Sequence, residues 1–285
     1  MTAINGSAAA ITGAASGIGR ALALELAAGG CDVAIADRDE AGLAAVAAEL
    51  GKSGRKVTTH RVDVSEPAQI QEFAAAATAA HPELNILINN AGVALLGQFG
   101  EIDQAQFEWL MNINFWGVVH GSRAFLPHLE RQGAAHIVNI SSIFGIIAPA
   151  GQTAYCASKF AVRGFSEALR HEFWLAKSPI QLTVVHPGGI KTNIVRNMRT
   201  GVGVTDNARR VETIERFDNE FAKTTAQAAA QTIINGIENN APRVLIGGDA
   251  RFMDLLQRFR PGRYFSLLQR RIEKQRAAQA ALQGK

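Results

Sequence analysis

A chain of 285 residues, 47% hydrophobic and 19% charged with two cysteines, has apolar mass for one large core. It excludes a disordered or collagen-like chain, a disulfide-stapled miniprotein and a four-cysteine zinc site. The formal charge of +4 is uneven: residues 251–285 carry nine Lys/Arg against Asp254 and Glu273, a net of +7, and residues 1–250 a net of −3, which speaks against a nucleic-acid-binding body.

From the N-terminus, a short β-branched apolar run predicts a strand over 8–12 and helical spacing predicts a helix over 18–29. Between them lies Thr12-Gly13-Ala14-Ala15-Ser16-Gly17-Ile18-Gly19. Gly13 permits a sharp turn, Gly17 lets a diphosphate approach bare backbone beside Ser16 and Ile18, and Gly19 lets helix and sheet pack closely, with the phosphates facing the helix N-terminus. A second strand over 32–36 delivers Asp37, 18 residues after Gly19. An acid there can accept hydrogen bonds from adenosine ribose hydroxyls and repel a 2′-phosphate. Arg38 could hold that phosphate if Asp37 turned aside, so NAD is favoured and NADP stays open. Asp39 competes better than Asp37 to cap the next helix, 39–50.

A strand over 56–61 leads to Asp63-Val64, a helix follows over 67–80, and a strand over 85–89 leads to Asn90-Ala91-Gly92. These strand ends would border adenine and ribose. A long helix over 103–131 contains Asn114, and a strand over 135–140 leads to Ser142. The helix 154–177 opens with Tyr155 and Lys159, one turn apart on one face. A phenol ionises near pH 10 and needs a neighbouring cation to serve as a base; Lys159 supplies one, and Ser142 can donate to a substrate oxygen. A strand over 180–185 leads to Pro187-Gly188, Ile190 and Thr192. The polar, Gly-punctuated stretch 200–218 reads as part of a substrate lid spanning 193–222. A helix over 225–239 and a strand over 243–246 complete the body. Phe252, Leu255, Leu256 and Phe259, then Phe265, Leu268 and Ile272 beyond Pro261-Gly262, predict two amphipathic helices in the tail.

Seven strands alternating with helices predict an α/β, Rossmann-type, doubly wound and mostly parallel sheet with helices on both faces and a C-terminal helical extension. The expected organisation is one dinucleotide-binding and catalytic domain over 1–250 and a basic helical tail over 251–285. Apolar stretches shorter than the roughly 20 residues that span a bilayer, and an N-terminus without a secretory leader, leave a soluble cytoplasmic protein as the expectation. The histidines lack ligand spacing, so no metal is expected. Trp109, Trp116 and Trp174 read as core or subunit interface.

Taken together in order, Thr-Gly-x-x-x-Gly-Ile-Gly at 12–19, Asn-Asn-Ala-Gly at 89–92, Asn114 ahead of Gly117, Ser142, Tyr155, Lys159 and Pro187-Gly188 with Thr192 resemble the classical short-chain dehydrogenase/reductase family over about 1–195. The resemblance implies that Tyr155 is the general acid/base. Lys159 would lower its pKa and hold the nicotinamide ribose, Ser142 would orient the reacting oxygen, and Asn114 would hold a water of the proton relay. Thr192 and the backbone of Ile190 would hold the nicotinamide carboxamide. A homodimer or homotetramer built through the two long helices is also implied.

The expected activity is the interconversion of a secondary alcohol and its ketone. Phe144, Ile146 and Ile147, with Gly189 and Ile190, favour a hydrophobic substrate. Arg196, Arg199, Arg209 and Arg210 leave an anionic hydroxy or oxo compound as the alternative. A non-catalytic nucleotide-binding regulator would not need the four catalytic groups. Arginine-rich tail helices can lie on anionic lipid, but closing the pocket or packing on a neighbouring subunit is favoured.

Overall fold

The computed structural model describes residues 1–266 and 269. Leu268 and Ile272, expected in a second tail helix, lie outside them. In chain order the strands are β1 (Ala8–Thr12), β2 (Asp32–Asp37), β3 (Val57–Arg61), β4 (Leu84–Asn89), β5 (Leu95–Leu96), β6 (Ala135–Ile140), β7 (Ile180–Pro187), β8 (Ile190–Lys191), β9 (Arg199–Thr200), β10 (Thr224–Thr225) and β11 (Arg243–Ile246). The helices are α1 (Gly17–Ala28), α2 (Glu40–Leu50), α3 (Pro67–Ala80), α4 (Gln104–Met111), α5 (Gly117–Leu129), α6 (Thr153–Leu175), α7 (Asn207–Arg216), α8 (Ala226–Glu238) and α9 (Gly248–Phe259).

Seven strands form the main sheet in the order β3-β2-β1-β4-β6-β7-β11, with every neighbouring pair parallel. Strand alternation divides the apolar residues between two cores. From β1, Ala9 and Ile11 join Leu22 and Leu26 of α1 and Ile233 and Ile237 of α8. Ala8 and Ala10 face the other way, into a core that holds Phe73 of α3, Phe125 of α5 and Phe173 of α6. Both faces are covered, which is why the strands read as nearly continuous apolar runs. Because all seven run one way, their C-terminal ends share one edge. The strand order reverses between β1 and β4, opening a crevice there.

A buried polar seam fixes α5 and α6 to the sheet. Asn89 Nδ2 donates to Asn139 Oδ1 at 2.8 Å and to Ser122 Oγ at 3.1 Å, and Asn139 Nδ2 donates to Ser166 Oγ at 2.9 Å. In a low-dielectric interior such bonds specify one register.

The structure adds two small two-stranded sheets, β5 with β9 and β8 with β10, and departs from the sequence expectations elsewhere in the fold. The helix expected over 103–131 is interrupted by a π-helical turn at Asn112–Trp116 between α4 and α5. The segment expected as a polar, Gly-punctuated lid contains α7, whose Asp206 cap accepts from Ala208 N at 2.8 Å. The boundary expected at 250/251 falls inside α9, whose Ala250 is fully buried. Among the described residues no helix is long and apolar enough to cross a membrane.

Candidate active site

The β1–α1 turn is built to leave backbone bare. Gly13 adopts φ +68°, where a Cβ would stand 2.7 Å from Ala91 Cα, and a Cβ on Gly19 would stand 2.2 Å from Gly13 O. Ser16 is extended and its side chain makes no capping bond, so the first amides of α1 stay available to an anion at the positive end of the helix. Thr12, given no role at the sequence level, organises the crevice: its Oγ1 accepts from Asn90 N at 3.0 Å and Ala91 N at 3.2 Å. Asn90 returns the tie, its Nδ2 donating to Thr12 O at 2.9 Å and Gly13 O at 3.0 Å.

Asp37 is pinned beside this turn, accepting from Ala15 N at 3.0 Å and Asp39 N at 3.1 Å. As expected, Asp39 and not Asp37 caps α2, accepting from Gly42 N at 3.0 Å. A cavity of about 560 Å³ beyond β2 and β3 is lined by Arg38, Asp39, Arg61, Asp63, Glu66 and Gln69. Asp63 there accepts from Ser65 N at 2.9 Å and Oγ at 2.6 Å, whereas Val64 is turned into the core near Gly117. A larger cavity of about 730 Å³ opens between α1 and residues 191–196, reaching Gly17, Arg20, Lys191, Thr192 and Arg196. Tyr155 lines neither cavity; the two flank the glycine turn. After β7, Gly188 N donates to Ile246 O at 2.9 Å and Gly189 N to Asp249 Oδ2 at 2.7 Å. That fixes Pro187-Gly188 ahead of Ile190, which pairs with β10, and ahead of Thr192, whose Cγ2 stands 3.2 Å from where a Gly17 Cβ would be.

Ser142, Tyr155, Lys159 and Asn114 converge at the same edge. Ser142 follows β6 and its Oγ accepts from Phe144 N at 3.1 Å. Burial pushes the Tyr155 phenol up to about 12, and the Ser142 hydroxyl beside it pulls the other way. Lys159 is buried, its Nζ 5.7 Å from the centre of the Tyr155 ring and donating to Ile140 O at 3.0 Å. Burial lowers its ammonium to about 8, so it is charged at neutral pH. The ammonium stands over the ring, and a cation beside a phenol favours the phenolate against the burial that opposes it.

Asn114 lies in the π-helical turn, a feature frequent at functional sites. It clamps the chain after Gly92, its Oδ1 accepting from Val93 N at 2.8 Å and its Nδ2 donating to Val93 O at 3.0 Å. Asn114 Oδ1 and Lys159 Nζ lie 3.3 and 3.5 Å from the point where a Gly92 Cβ would stand, so the two meet over bare backbone.

His186 was not singled out at the sequence level. Its Nδ1 lies 2.9 Å from Ser142 O, and burial lowers the imidazole to about 4. The ring is therefore neutral and Nδ1–H donates to that carbonyl, fixing the residue that carries the Ser142 hydroxyl. The only sequence signal was a polar residue inside an apolar strand.

The apolar wall is partly where it was expected. Phe144 stands edge-on to Tyr155 with ring centres 6.1 Å apart, but Ile146 and Ile147 are buried with Ala250, Met253 and Tyr264, under the C-terminal segment and not on an open wall. Opposite, residues 199–203 are clipped down: Arg199 N donates to Ala94 O at 3.1 Å and Gly201 N to Leu96 O at 2.7 Å. The four lid arginines all have local partners. Arg196 pairs with Asp218, Arg199 lies 3.8 Å over the Trp109 ring, Arg209 grips both oxygens of Glu101, and Arg210 donates to Met198 O and Arg196 O.

Away from this edge, Asp32, His81 and Glu83 bring ligand atoms within 4.8 Å of one another, but Asp32 already accepts from Lys56 N at 3.0 Å and faces Arg55 at 3.8 Å.

Residues 7–203 match the profile of the family described as short chain dehydrogenase. The chain belongs to this family. SadH of Mycobacterium tuberculosis, named as an oxidoreductase, is 42% identical over 268 residues, covering 94% of this chain and 96% of that one. The 1-deoxy-11-beta-hydroxypentalenate dehydrogenase of Streptomyces avermitilis is 34% identical over 206 residues, covering 70% of this chain and 75% of that one. A crystal structure of a short chain dehydrogenase/reductase from Burkholderia phymatum in complex with NAD superposes with a TM-score of 0.83 at 31% identity, covering 91% of this chain and 95% of that one. As a short-chain dehydrogenase the protein is an oxidoreductase that uses a nicotinamide dinucleotide. The residues present fit such a group: a bare glycine turn, amides left without a side-chain cap and a pinned acid lie together at the switch point.

Proposed function

We propose that this short-chain dehydrogenase interconverts a hydrophobic secondary alcohol and its ketone, with NAD as preferred cofactor and Tyr155 as general acid/base. The observation that carries the reading is the meeting of the Ser142 hydroxyl, the Tyr155 phenol and the Lys159 ammonium next to the glycine turn. The residues that would hold the dinucleotide are Gly13, Ser16, Gly17, Ile18 and Gly19 at the phosphates and Asp37, Arg38, Asp63 and the backbone of Val64 at the adenosine. Asn90, Ala91, Gly92 and Lys159 would lie along the ribose, with Pro187, Gly188, Ile190 and Thr192 at the nicotinamide. When bound, the dinucleotide supplies the hydride acceptor or donor.

The chain's own groups handle the proton. In oxidation, ionised Tyr155 takes the proton of the substrate hydroxyl while Ser142 donates a hydrogen bond to the same oxygen, holding the charge that develops there. Lys159 stabilises the phenolate and, with Asn114, opens a path toward solvent through a water held between them. In reduction, neutral Tyr155 gives the proton back.

Support for an apolar substrate comes from Phe144, set against Tyr155, and from lid arginines already engaged with Asp218, Trp109, Glu101 and backbone carbonyls. A panel of secondary alcohols offered with NAD or NADP tests the reading. Turnover of aryl, alicyclic or lipid-like alcohols supports it; turnover confined to charged hydroxy acids contradicts it. Replacing Asp37 by Ala removes an acceptor held beside the glycine turn and a like charge facing any 2′-phosphate, a juxtaposition that costs several kcal/mol. The ratio of kcat/KM for NADP to that for NAD should rise about tenfold or more; an unchanged ratio would mean another residue selects the cofactor. We further read α5 and α6 as the subunit contact, since Trp116, just ahead of α5, and Phe160 and Trp174 on α6 are exposed.

A further inference from the structure

We propose that the outward face of α9, with the arginines that flank it, docks the protein onto an anionic lipid surface. The helix is inverted for a surface element. Of its two acids, Asp249 at the first turn is tied to Gly189 N at 2.7 Å, and Asp254 points inward, being 5% exposed and held by Arg243 at 2.6 Å and Arg258 at 3.0 Å; the buried side is completed by Ala250 and Met253. Its large apolar residues point outward: Phe252, Leu255 and Phe259 are 50%, 54% and 75% exposed. Spaced i, i+3 and i+7, they make one stripe opposite the packed side. Phe265, just beyond the Pro261-Gly262 turn, is 45% exposed. A contiguous stripe of this kind marks a binding surface more often than the scattered apolar residues normal on a monomer.

Charge selects the occupant. Arg251, Arg258, Arg260 and Arg263 are exposed around the stripe, and the sequence onward adds Arg270, Arg271, Lys274, Arg276 and Lys285 against Glu273. A second copy seated here by a two-fold axis would set arginines against arginines, with Asp249 and Asp254 already committed within their own chain. An anionic lipid layer complements both parts, acyl chains receiving the phenylalanines and leucine while long arginine side chains reach the phosphates.

The same segment roofs the site. Tyr264 Oη accepts from Ala148 N at 3.1 Å, and Tyr264 and Met253 cover Ile143, Ile146 and Ile147 next to Phe144. A lipid-docked enzyme would therefore hold Phe144, which stands edge-on to Tyr155, beside the segment that meets the membrane, close to the source of a lipid-like alcohol. That consequence rests on the apolar-substrate reading; the docking itself does not.

The test is co-sedimentation of the full chain, loaded with its dinucleotide, with vesicles of phosphatidylcholine alone or mixed with phosphatidylglycerol, at low and high salt. The same measurement is made on Phe252→Glu/Leu255→Glu/Phe259→Glu. The expected result is pelleting with phosphatidylglycerol vesicles only, weakened by salt, and reduced more than about tenfold in the triple variant at unchanged unfolding temperature. Should that variant lose its fold, Phe259→Glu alone and Arg260→Glu/Arg263→Glu make the same comparison. Absence of pelleting, equal pelleting of wild type and variants, or a drop in oligomer size in the variants without vesicle binding overturns the proposal. The last result would make the face a contact between copies. Turnover of alcohols is read separately, so loss of vesicle binding leaves the enzymatic reading standing.

Discussion

Tyr155→Phe is expected to lower turnover by about a thousandfold or more while leaving dinucleotide affinity within about twofold. Only the hydroxyl is removed. The ring keeps its edge-on contact with Phe144 and its place against the apolar cluster of Leu95, Leu110 and Ala154, and α6 keeps its buried ties through Ser158 and Ser166. Ser142 alone cannot replace the lost group, because an unperturbed serine hydroxyl neither accepts nor releases a proton usefully near neutral pH. Fluorescence of bound reduced dinucleotide separates the two quantities. Equal loss of binding and turnover would assign Tyr155 to holding the cofactor and not to the proton.

Lys159→Met should cost about a hundredfold in turnover and, unlike the tyrosine substitution, should also weaken dinucleotide binding. Its diagnostic effect is on pH dependence. Alcohol oxidation needs the phenolate, so its rate rises as pH climbs toward the phenol pKa; ketone reduction needs the neutral phenol and falls over the same range. In the wild type the Lys159 ammonium stands 5.7 Å from the centre of the Tyr155 ring, and a cation beside a phenol favours the phenolate against the burial that opposes it. Removing the ammonium withdraws that support, so the rising limb of oxidation should move to higher pH. A profile that keeps its position would show that the lysine does not act on the phenol. The substitution also frees the Ile140 carbonyl from its 3.0 Å donor, a loss of about 1 kcal/mol in stability, readable in Tm and separable from the pH effect.

The main sheet was legible because each strand is a short apolar run between polar turns, and parallel burial on both faces leaves few interruptions to misread. What stayed hidden depends on contacts between distant segments or on a lost pattern. The turn at Asn112–Trp116 adds one residue to a helical turn without any composition of its own, so a continuous helix was the natural reading even though Asn114 was picked out within it. The helix α7 buries no residue, and in Asn-Ala-Arg-Arg-Val-Glu-Thr-Ile-Glu-Arg only Ala208, Val211 and Ile214 are apolar, a stripe too thin to stand out in a polar stretch. In the site, the glycine turn, Asp37, Ser142, Tyr155 and Lys159 carry side chains whose chemistry is visible in isolation. Thr12, His186 and Asp249 work by holding the backbone of Asn90, Ser142 and Gly189, partnerships that exist only once β1, β4, β6, β7 and β11 stand side by side. The amphipathic pattern of α9 was visible; that its apolar stripe faces outward was not, because only packing of Asp254 against Arg243 sets the rotation of the helix.

The central claim is that the Tyr155 hydroxyl exchanges a proton with the reacting oxygen. A crystal structure of the protein with oxidised dinucleotide and a ketone product tests it directly. The account predicts the Tyr155 and Ser142 hydroxyls both about 2.6–3.2 Å from the ketone oxygen, with Lys159 Nζ on the far side of the phenol from the substrate. A complex with ordered loops in which Tyr155 points away from that oxygen and another acid occupies its place would contradict the account.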